Sequence, residues 1–224
     1  MSFSHFRLGA GPISWETTAM DNSYLIRDEE ALCELYGHGS PASLVKEVDH
    51  VHPHYRAFIE ASSFVILATS GPDGMDASPR GDPAGFVLVE NDRTLLMPDR
   101  RGNNRVDTLH NLVADPRIGL LFMIPGIAES LRVNGTAVIS VDPALLGRFP
   151  AQGKPPRSVI IVNVETVYFQ CPRAAVRADL WNPAKFVERS ALPSSGTILA
   201  DLSGEQSYRA RDATREQTVR ATLY

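Results

Sequence analysis

The order of apolar runs constrains the fold of this chain more than any other feature. Six short runs with strand-like composition follow one another at the spacing of hairpins. They are Phe64–Thr69, Phe86–Val89, Thr94–Met97, Ile118–Ile124, Ser130–Ser140 and Ser158–Phe169. Only Val106–Val113, with apolar residues at helical spacing, interrupts them. A parallel doubly wound sheet would need a helix after nearly every strand, so the pattern favours a closed or partly closed antiparallel barrel.

Helical, polar segments flank this β-rich region. Patterns typical of helices cover residues 28–36, 41–48 and 54–61. We therefore predict a mainly β chain with helices (α+β), made of an N-terminal helical segment at 1–60 that packs on the barrel, a six-stranded barrel at 61–188, and a C-terminal tail at 189–224. Within the tail, residues 204–223 are compatible with a surface helix. The central Gly135 predicts a β-bulge in its strand.

The charge and the termini indicate which partners to expect. The formal net charge is −4, so no overall positive field would draw the protein to nucleic acid or to anionic lipid. The sequence begins without the pattern of a secretory signal, and no apolar run reaches the ~20 residues that span a bilayer. Cys33 and Cys171 lie far apart, which favours free thiols over a disulfide or a metal site. We expect a soluble, cytoplasmic protein.

The segment from Pro98 to Asp107 is the strongest candidate for a binding site. It joins the end of a strand to the start of the predicted helix, where free backbone N–H groups and the helix dipole favour an anion. Its polar residues are Asp99, Arg100, Arg101, Asn103, Asn104, Arg105 and Asp107. Arginine suits phosphate because its planar fork makes two parallel hydrogen bonds. We expect Ser78 and Arg80, between two strands, to lie beside this segment. A charged, solvated loop is the alternative interpretation.

Other polar clusters indicate chemistry less clearly. His50, His52 and His54 alternate as metal ligands on a strand would, but Pro53 lies among them and helices are predicted on both sides. Asp82 and Asp99 could act as acid or base, although their turn-forming surroundings favour a structural role. For Cys171 we favour a small buried residue over a nucleophile.

A set of motifs along the chain resembles one known superfamily. The motifs are Phe64–Thr69 with Gly71 and Gly74, Asp76–Asp82 with Gly85 and Phe86, Leu95–Arg105, Asn111 with Asp115–Phe122, Ile124–Gly126, Glu129–Ala137 and Cys171–Trp181. In this order they resemble the pyridoxamine 5′-phosphate oxidase-like flavin split-barrel superfamily, and in particular its branch of related FMN-binding proteins. The resemblance covers about residues 25–185.

The resemblance implies a split barrel that works as a homodimer and holds FMN at the subunit interface. Asn104 and Arg105 fall where the family grips the FMN phosphate, and Asn103 precedes them, in the stretch that begins with Pro98 and Asp99. The remaining implied cofactor-binding residues are Ser78 and Arg80 along the flavin, Ser130 where the oxidases usually carry a glutamine, Trp181 closing over the ring, and Arg173 and Arg177 adding positive charge near it.

The resemblance also sets the expected activity. The substrate-phosphate residues of the true oxidases and their C-terminal Arg-x-His signature have no counterpart in this sequence. We therefore expect an FMN-dependent oxidoreductase that acts on an unidentified small molecule. The alternatives are a flavin-binding protein without turnover, used in storage or sensing, and the same barrel with haem or a deazaflavin.

Overall fold

Seven strands form one antiparallel sheet in the computed structural model, which describes residues 21–224. The strands are β1 (Phe64–Gly71), β2 (Gly74–Gly81), β3 (Leu88–Asn91), β4 (Thr94–Asp99), β5 (Arg117–Met123), β6 (Ser130–Ser140) and β7 (Ser158–Gln170). Their order in the sheet is β2-β1-β5-β6-β7-β4-β3, so β2 and β3 are its edges. The fold is the predicted α+β antiparallel split barrel, with one strand more than expected.

Nine α-helices accompany the sheet within residues 21–224. They are α1 (Glu29–Tyr36), α2 (Pro41–Val45), α3 (Pro53–Ala61), α4 (Asp107–Ala114), α5 (Pro143–Leu146), α6 (Arg173–Arg177), α7 (Ser195–Ser203), α8 (Ser207–Ala210) and α9 (Arg215–Ala221). The predicted helix at 106–113 is α4, which packs against β1, β2 and β6. None of the helices in this part of the chain has the length and apolar character that crossing a membrane requires.

The barrel has one main hydrophobic core because alternate residues of its strands point inward. Val65 and Leu67 of β1 and Leu120 and Phe122 of β5 are all at most 1% exposed. The half-buried side chains of Tyr55 and Phe58 from α3 pack against this core. The residues between them on the same strands face the other side of the sheet, so each strand contributes to two different surfaces.

The chain divides into two compact units at Pro41. In the first unit, the described residues begin at 21, and Asp28 caps the start of α1, because its carboxylate accepts a hydrogen bond from the Ala31 N–H. The second unit, from residue 42 onward, holds the whole sheet. Residues 1–20 of the predicted N-terminal segment lie outside the described residues. The three-part division at residues 60 and 188 stays a prediction.

The strand that the sequence did not reveal is β2. Residues 78–82 were expected between two strands, whereas Ser78 and Arg80 lie within β2, which pairs with β1 along its full length. Gly74, Pro79 and Gly81 give this segment a low intrinsic strand preference. As an edge strand it has only one neighbour, and an edge is where a sheet tolerates proline.

Three smaller expectations are corrected. The strand expected at 86–89 is β3, two residues later, because it forms a hairpin in which Asn91 pairs with Thr94. The tail holds α7, which ends at Gly204 with φ 78°, and then α8 and α9 separated by a 3-10 helix at Arg211–Thr214, instead of one helix at 204–223. Cys171 is exposed rather than buried, and both Cys33 and Cys171 are free thiols.

A bulge occurs at Gly135 as predicted, but the extra residue belongs to the partner strand β7. The register of β6 against β7 shifts between Asn134 and Gly135, which leaves Glu165 as the extra residue on β7. At this point the two backbones approach so closely that a Cβ on Gly135 would lie 1.9 Å from the Asn163 carbonyl oxygen.

Gly135→Ala should therefore destabilise the barrel by about 1–3 kcal/mol or more, because the backbone has to move to admit one methyl group. Gly119→Ala is the matched control in β5, where a Cβ would make ordinary contacts at 3.5 and 3.8 Å. Urea unfolding of both variants measures the difference. Equal stabilities would contradict the tight bulge.

Candidate functional site

A cleft of about 460 Å³ opens between β2, the segment that follows β4, and the start of α4. We call it the β2–α4 cleft. It is lined by Ser78–Gly81, Asp99–Leu109, Arg157 and Ser158. Five arginines lie along it: Arg80, Arg100, Arg101, Arg105 and Arg157. This volume is within the range of roughly 300–1,000 Å³ that small-molecule sites occupy.

Strand alternation places the polar side chains of β2 in this cleft. Asp76, Ser78 and Arg80 share one face of β2, and Ser78 and Arg80 line the cleft directly. The hydroxyl groups of Ser78 and Thr108 both donate to the Asp76 carboxylate, Ser78 at 2.7 Å and Thr108 at 2.5 Å. This cluster joins the first turn of α4 to β2 and fixes one wall of the cleft.

The Asp76 carboxylate is stabilised in its charged form. Burial alone would raise its pKa, but the hydrogen bonds from Thr108 and Ser78 and the charge of Arg80 outweigh burial and lower the pKa below its ordinary value. Asp76 therefore stays ionised and keeps both hydroxyl groups oriented as donors.

The backbone between β4 and α4 takes up a strained path. Asn104 has φ 60° and Val106 has φ 51°, both in the left-handed region. Asparagine tolerates this region, whereas a β-branched valine there is a real outlier. The Asn103 side chain supports the turn by accepting a hydrogen bond from the Arg105 N–H at 3.0 Å. Strain of this kind is typical of binding loops that the surrounding structure holds in place.

The charged side chains of this segment are partly paired with one another. The Arg105 guanidinium, 77% exposed, donates to Asp107 at 2.5 Å, and Arg157 donates to the Asn104 side-chain oxygen at 2.9 Å. Arg80 lies 4.0 Å from Asp99. Burial raises the pKa of Asp99, and the charges of Arg80 and Arg157 counteract only part of that rise. The cleft keeps an excess of positive charge.

Asp82 has the structural role that the sequence favoured. Its carboxylate, 3% exposed, accepts a hydrogen bond from Arg100 at 2.6 Å and another from the Tyr224 hydroxyl at 2.5 Å. Arg100 also donates to the Phe149 carbonyl oxygen at 2.7 Å. These bonds attach the segment after β4 to the end of β2.

A second cleft, of about 610 Å³, collects the other predicted residues. We call it the Trp181 cleft. Ser130, Arg173, Arg177 and Trp181 all line it, together with apolar side chains that include Leu121 and Met123. The Trp181 indole N–H donates to the Ile127 carbonyl oxygen at 2.8 Å, which fixes the ring at the edge of the cleft.

The two clefts lie on opposite faces of the same part of the sheet. Ser78 and Arg80 are opposite Leu67 and Val65, which point into the core. Leu121, in the Trp181 cleft, is opposite Ile66, which alternates with those core residues and faces outward. The two clefts have no lining residue in common among the described residues. Within one protomer, the two sets of residues therefore lie on different faces of the sheet.

The structure thus brings together most of the predicted site residues, in two groups. Asp99, Asn103, Asn104 and Arg105 lie with Ser78 and Arg80 in the β2–α4 cleft. Pro98 is buried in β4 and does not line the cleft. The binding role of each residue stays a prediction.

The histidine cluster lies at the start of α3. The rings of His50 and His52 are 6.4 Å apart and those of His52 and His54 are 4.9 Å apart. His52 Nδ1 accepts a hydrogen bond from the His54 N–H and so caps the helix. In residues 21–224, no group of three or more His, Cys, Asp and Glu side chains is arranged to hold a metal ion.

Sequence reasoning missed Asp76, Thr108 and Arg157. The alternation of Asp76, Ser78 and Arg80 was a usable signal, because a strand would place all three on one face. Thr108 is in the first turn of the predicted helix and could have been found in the same way. Arg157 could not, because its position depends on the pairing of Asp99 with Ser158, between two strands far apart in sequence.

The fold and the clefts define a small antiparallel split-barrel protein with a basic cleft between an edge strand and a helix. Residues 51–171, more than half of the chain, match the family described as pyridoxamine 5′-phosphate oxidase. This stretch contains all seven strands. The chain belongs to the pyridoxamine 5′-phosphate oxidase family. None of the curated proteins compared matches it.

Several solved structures are similar to part of the chain. HupZ of Group A Streptococcus is 19% identical, with a TM-score of 0.44 over 52% of this chain and 90% of its own. General Stress Protein 26 of Bacillus anthracis is 18% identical, with a TM-score of 0.40 over 50% and 88%. An FAD binding protein of Mycobacterium smegmatis is 14% identical, with a TM-score of 0.39 over 55% and 97%. These TM-scores are low, so the family assignment rests on the sequence match.

Asp99 and Asp76 should change the pH dependence of stability in opposite directions. The pKa of Asp99 is higher in the folded protein than in the unfolded chain. Its contribution to stability is therefore fully present at pH values below the unfolded pKa, and it is lost as the pH rises through the folded pKa. Relative to the unmodified protein, Asp99→Asn should therefore gain stability as the pH rises above about 4, the ordinary pKa of an aspartate.

The lowered pKa of Asp76 gives the contrasting case. Its contribution is present above the unfolded pKa and is lost as pH falls through the folded value, which is below 3.8. Asp76→Asn should be less stable than the unmodified protein at neutral pH, and the gap should close in acid. Urea unfolding at a series of pH values measures both effects. Parallel profiles for the two variants would show that the local charges have been misjudged.

Proposed function

We propose that this protein binds FMN and works as a homodimer that carries out flavin-dependent oxidoreduction on a small molecule. The phosphate of FMN would lie in the β2–α4 cleft, and its ring would reach the Trp181 cleft of the partner protomer. The expectation of a cytoplasmic location stays a prediction.

One observation carries the proposal. A chain with a net charge of −4 concentrates five arginines along one cleft, at the start of a helix and next to a strained turn. Guanidinium groups and the first N–H groups of a helix are the donors that bind phosphate most effectively in proteins. The donor set of the cleft thus fits the phosphate of a mononucleotide.

Asp107 would lower the affinity of the β2–α4 cleft for phosphate. It lies in the first turn of α4 and forms a salt bridge with Arg105. A bound phosphate would compete with the Asp107 carboxylate for the same guanidinium group. Arg101, which has no salt bridge within the described part of the chain, would add to the attraction.

The position of the two clefts on opposite faces of the sheet supports a homodimer. A flavin needs phosphate donors at one end and an apolar, partly aromatic surface for its ring. The β2–α4 cleft offers the first and the Trp181 cleft the second, yet one sheet separates them within a protomer. A two-fold arrangement would place the Trp181 cleft of one protomer against the β2–α4 cleft of the other, twice.

The outer face of β2, β1 and β5 offers a surface for this association. Phe64 is 39% exposed and Met75 is 86% exposed on it. Ile66, Leu121 and Met123 lie on the same face. Contiguous apolar side chains on the surface of a soluble protein are typical of an interface.

When bound, the isoalloxazine ring would supply the redox chemistry. Trp181 would cover the ring and exclude water from it. Arg173 and Arg177 in the same cleft would place positive charge beside the ring, which stabilises negative charge on it. Ser130 would offer a hydroxyl group where a larger amide is usual in the oxidases.

Arg105→Ala should weaken FMN binding by about 1.5–3 kcal/mol, the usual value of a hydrogen bond to a charged group. Riboflavin, which lacks the phosphate, should bind the variant and the unmodified protein equally well. Titration of both ligands, followed by quenching of flavin fluorescence, separates the phosphate from the ring.

Arg117→Ala is the matched control for this variant. Arg117 is 76% exposed and pairs with an aspartate two residues away, as Arg105 does, but it lies outside both clefts. Asp107→Asn should change FMN affinity in the opposite direction to Arg105→Ala, because it frees the guanidinium group. If Arg105→Ala lowered riboflavin and FMN affinity equally, the phosphate would have to bind elsewhere.

A mixed dimer tests whether each site is shared between protomers. Arg105→Ala and Trp181→Ala homodimers should each have two damaged sites. A dimer with one protomer of each kind should have one intact site and one doubly damaged site, and should bind one FMN with nearly normal affinity. Co-expression with two different affinity tags isolates this dimer. If both residues acted within one protomer, no intact site would form, and the mixed dimer would bind as weakly as its parents.

A further inference from the structure

A third cleft, of about 350 Å³, adjoins the β2–α4 cleft. We call it the Lys154 cleft. Arg100, Arg101 and Arg157 line both clefts, and Lys154 and Tyr224 line only the new one. The two spaces therefore meet at a shared row of three guanidinium groups. A ligand whose first phosphate binds in the β2–α4 cleft has this cleft next to it.

Lys154 is held in place by a tight turn between α5 and β7. The N–H of Ala151 donates to the Lys154 carbonyl oxygen at 2.9 Å, and the N–H of Lys154 donates back at 3.0 Å. The two central residues, Gln152 and Gly153, have φ values of 48° and 75°. Positive φ at both positions is the geometry of a two-residue hairpin turn, and it is unfavourable for glutamine. Pro155 and Pro156 follow and stiffen the backbone further.

Three of the four cationic groups of the Lys154 cleft have no aspartate or glutamate partner in residues 21–224. No aspartate or glutamate side chain forms a salt bridge within 4.0 Å with Arg101, Lys154 or Arg157 in residues 21–224. The Lys154 ammonium group makes one long contact, of 3.4 Å, to the main-chain oxygen of Tyr224. Arg100 differs, because Asp82 holds its guanidinium group. The positive charges of Arg101, Lys154 and Arg157 repel one another, which destabilises the protein. A bound anion would reduce this repulsion.

Tyr224 forms one wall of the Lys154 cleft. Its ring lies 5.5 Å from the Arg100 guanidinium group, and its hydroxyl group donates to Asp82. These two contacts fix the ring beside the basic row. Tyr224 lies beyond residues 51–171, which match the family, so this wall is an addition outside the matched barrel.

We propose that the Lys154 cleft is a second anion subsite, which binds a phosphoryl group next to the one held in the β2–α4 cleft. The group would belong either to a dinucleotide form of the flavin, extended beyond its first phosphate, or to a separate phosphorylated molecule bound beside FMN. In both cases Lys154 and Arg101 contact the second phosphoryl group, and Tyr224 offers a flat surface to what is attached to it. The flavin source rests on the proposed function, whereas anion binding does not.

The experiment compares Lys154→Gln with Lys185→Gln, an exposed lysine in a 3-10 turn outside the three clefts. Both variants lose one positive charge, so effects of net charge cancel. Lys154→Arg keeps the charge and should behave as the unmodified protein. The full chain is titrated with FMN and FAD, and with inorganic pyrophosphate and inorganic phosphate, with and without bound FMN, by calorimetry.

If the second group belongs to the flavin, Lys154→Gln should weaken FAD binding about five- to tenfold and leave FMN binding unchanged. If it belongs to another molecule, Lys154→Gln should weaken pyrophosphate binding to the FMN-loaded protein by a similar factor. Identical results for Lys154→Gln and Lys185→Gln with every ligand would overturn the subsite. Failure of FMN to bind, with pyrophosphate binding that still depends on Lys154, would overturn the proposed function and retain the subsite.

Discussion

The alternation of side chains along β1, β2 and β5 determines most of what this molecule can do. One face of these strands forms the core and continues at its edge into the β2–α4 cleft, and the other face points outward with Ile66 and Leu121. Because the faces are fixed by register, a shift of one residue would exchange core and surface. The same constraint keeps the arginines of the β2–α4 cleft and the Trp181 cleft apart within a protomer. The separation of the two clefts thus follows from the backbone pattern of a single sheet.

The clefts combine rigid walls with a strained connection. Asp76 gathers the hydroxyl groups of Ser78 and Thr108, and Asp82 holds Arg100, so carboxylates fix both ends of the basic segment. Between them, Val106 adopts a left-handed conformation that its branched side chain disfavours. Carboxylates near the cleft also keep Arg80 and Arg105 partly neutralised. The positive charge that remains is concentrated on Arg101, Arg157 and Lys154.

The sequence predicted the fold class, the helix α4, the bulge at Gly135 and the collection of Asn103, Asn104 and Arg105 with Ser78 and Arg80. These features depend on local patterns, namely periodicity, glycine placement and a polar segment between a strand and a helix. The seventh strand was missed because β2 has the composition of a loop and is a strand only through its pairing with β1. Arg157 and Tyr224 were missed for a related reason. Their positions depend on contacts between distant parts of the chain, which no local pattern encodes.

Pro79 in the edge strand β2 has a consequence for assembly. A proline has no N–H group, so it withholds one of the donors that an incoming strand would need at this edge. The opposite edge strand, β3, is only four residues long and therefore has few backbone groups with which another strand could pair. Growth of the sheet by adding strands from further copies is therefore disfavoured at both ends. Edge-to-edge pairing of this kind would let a fibre grow without limit, and both edges of this sheet oppose it.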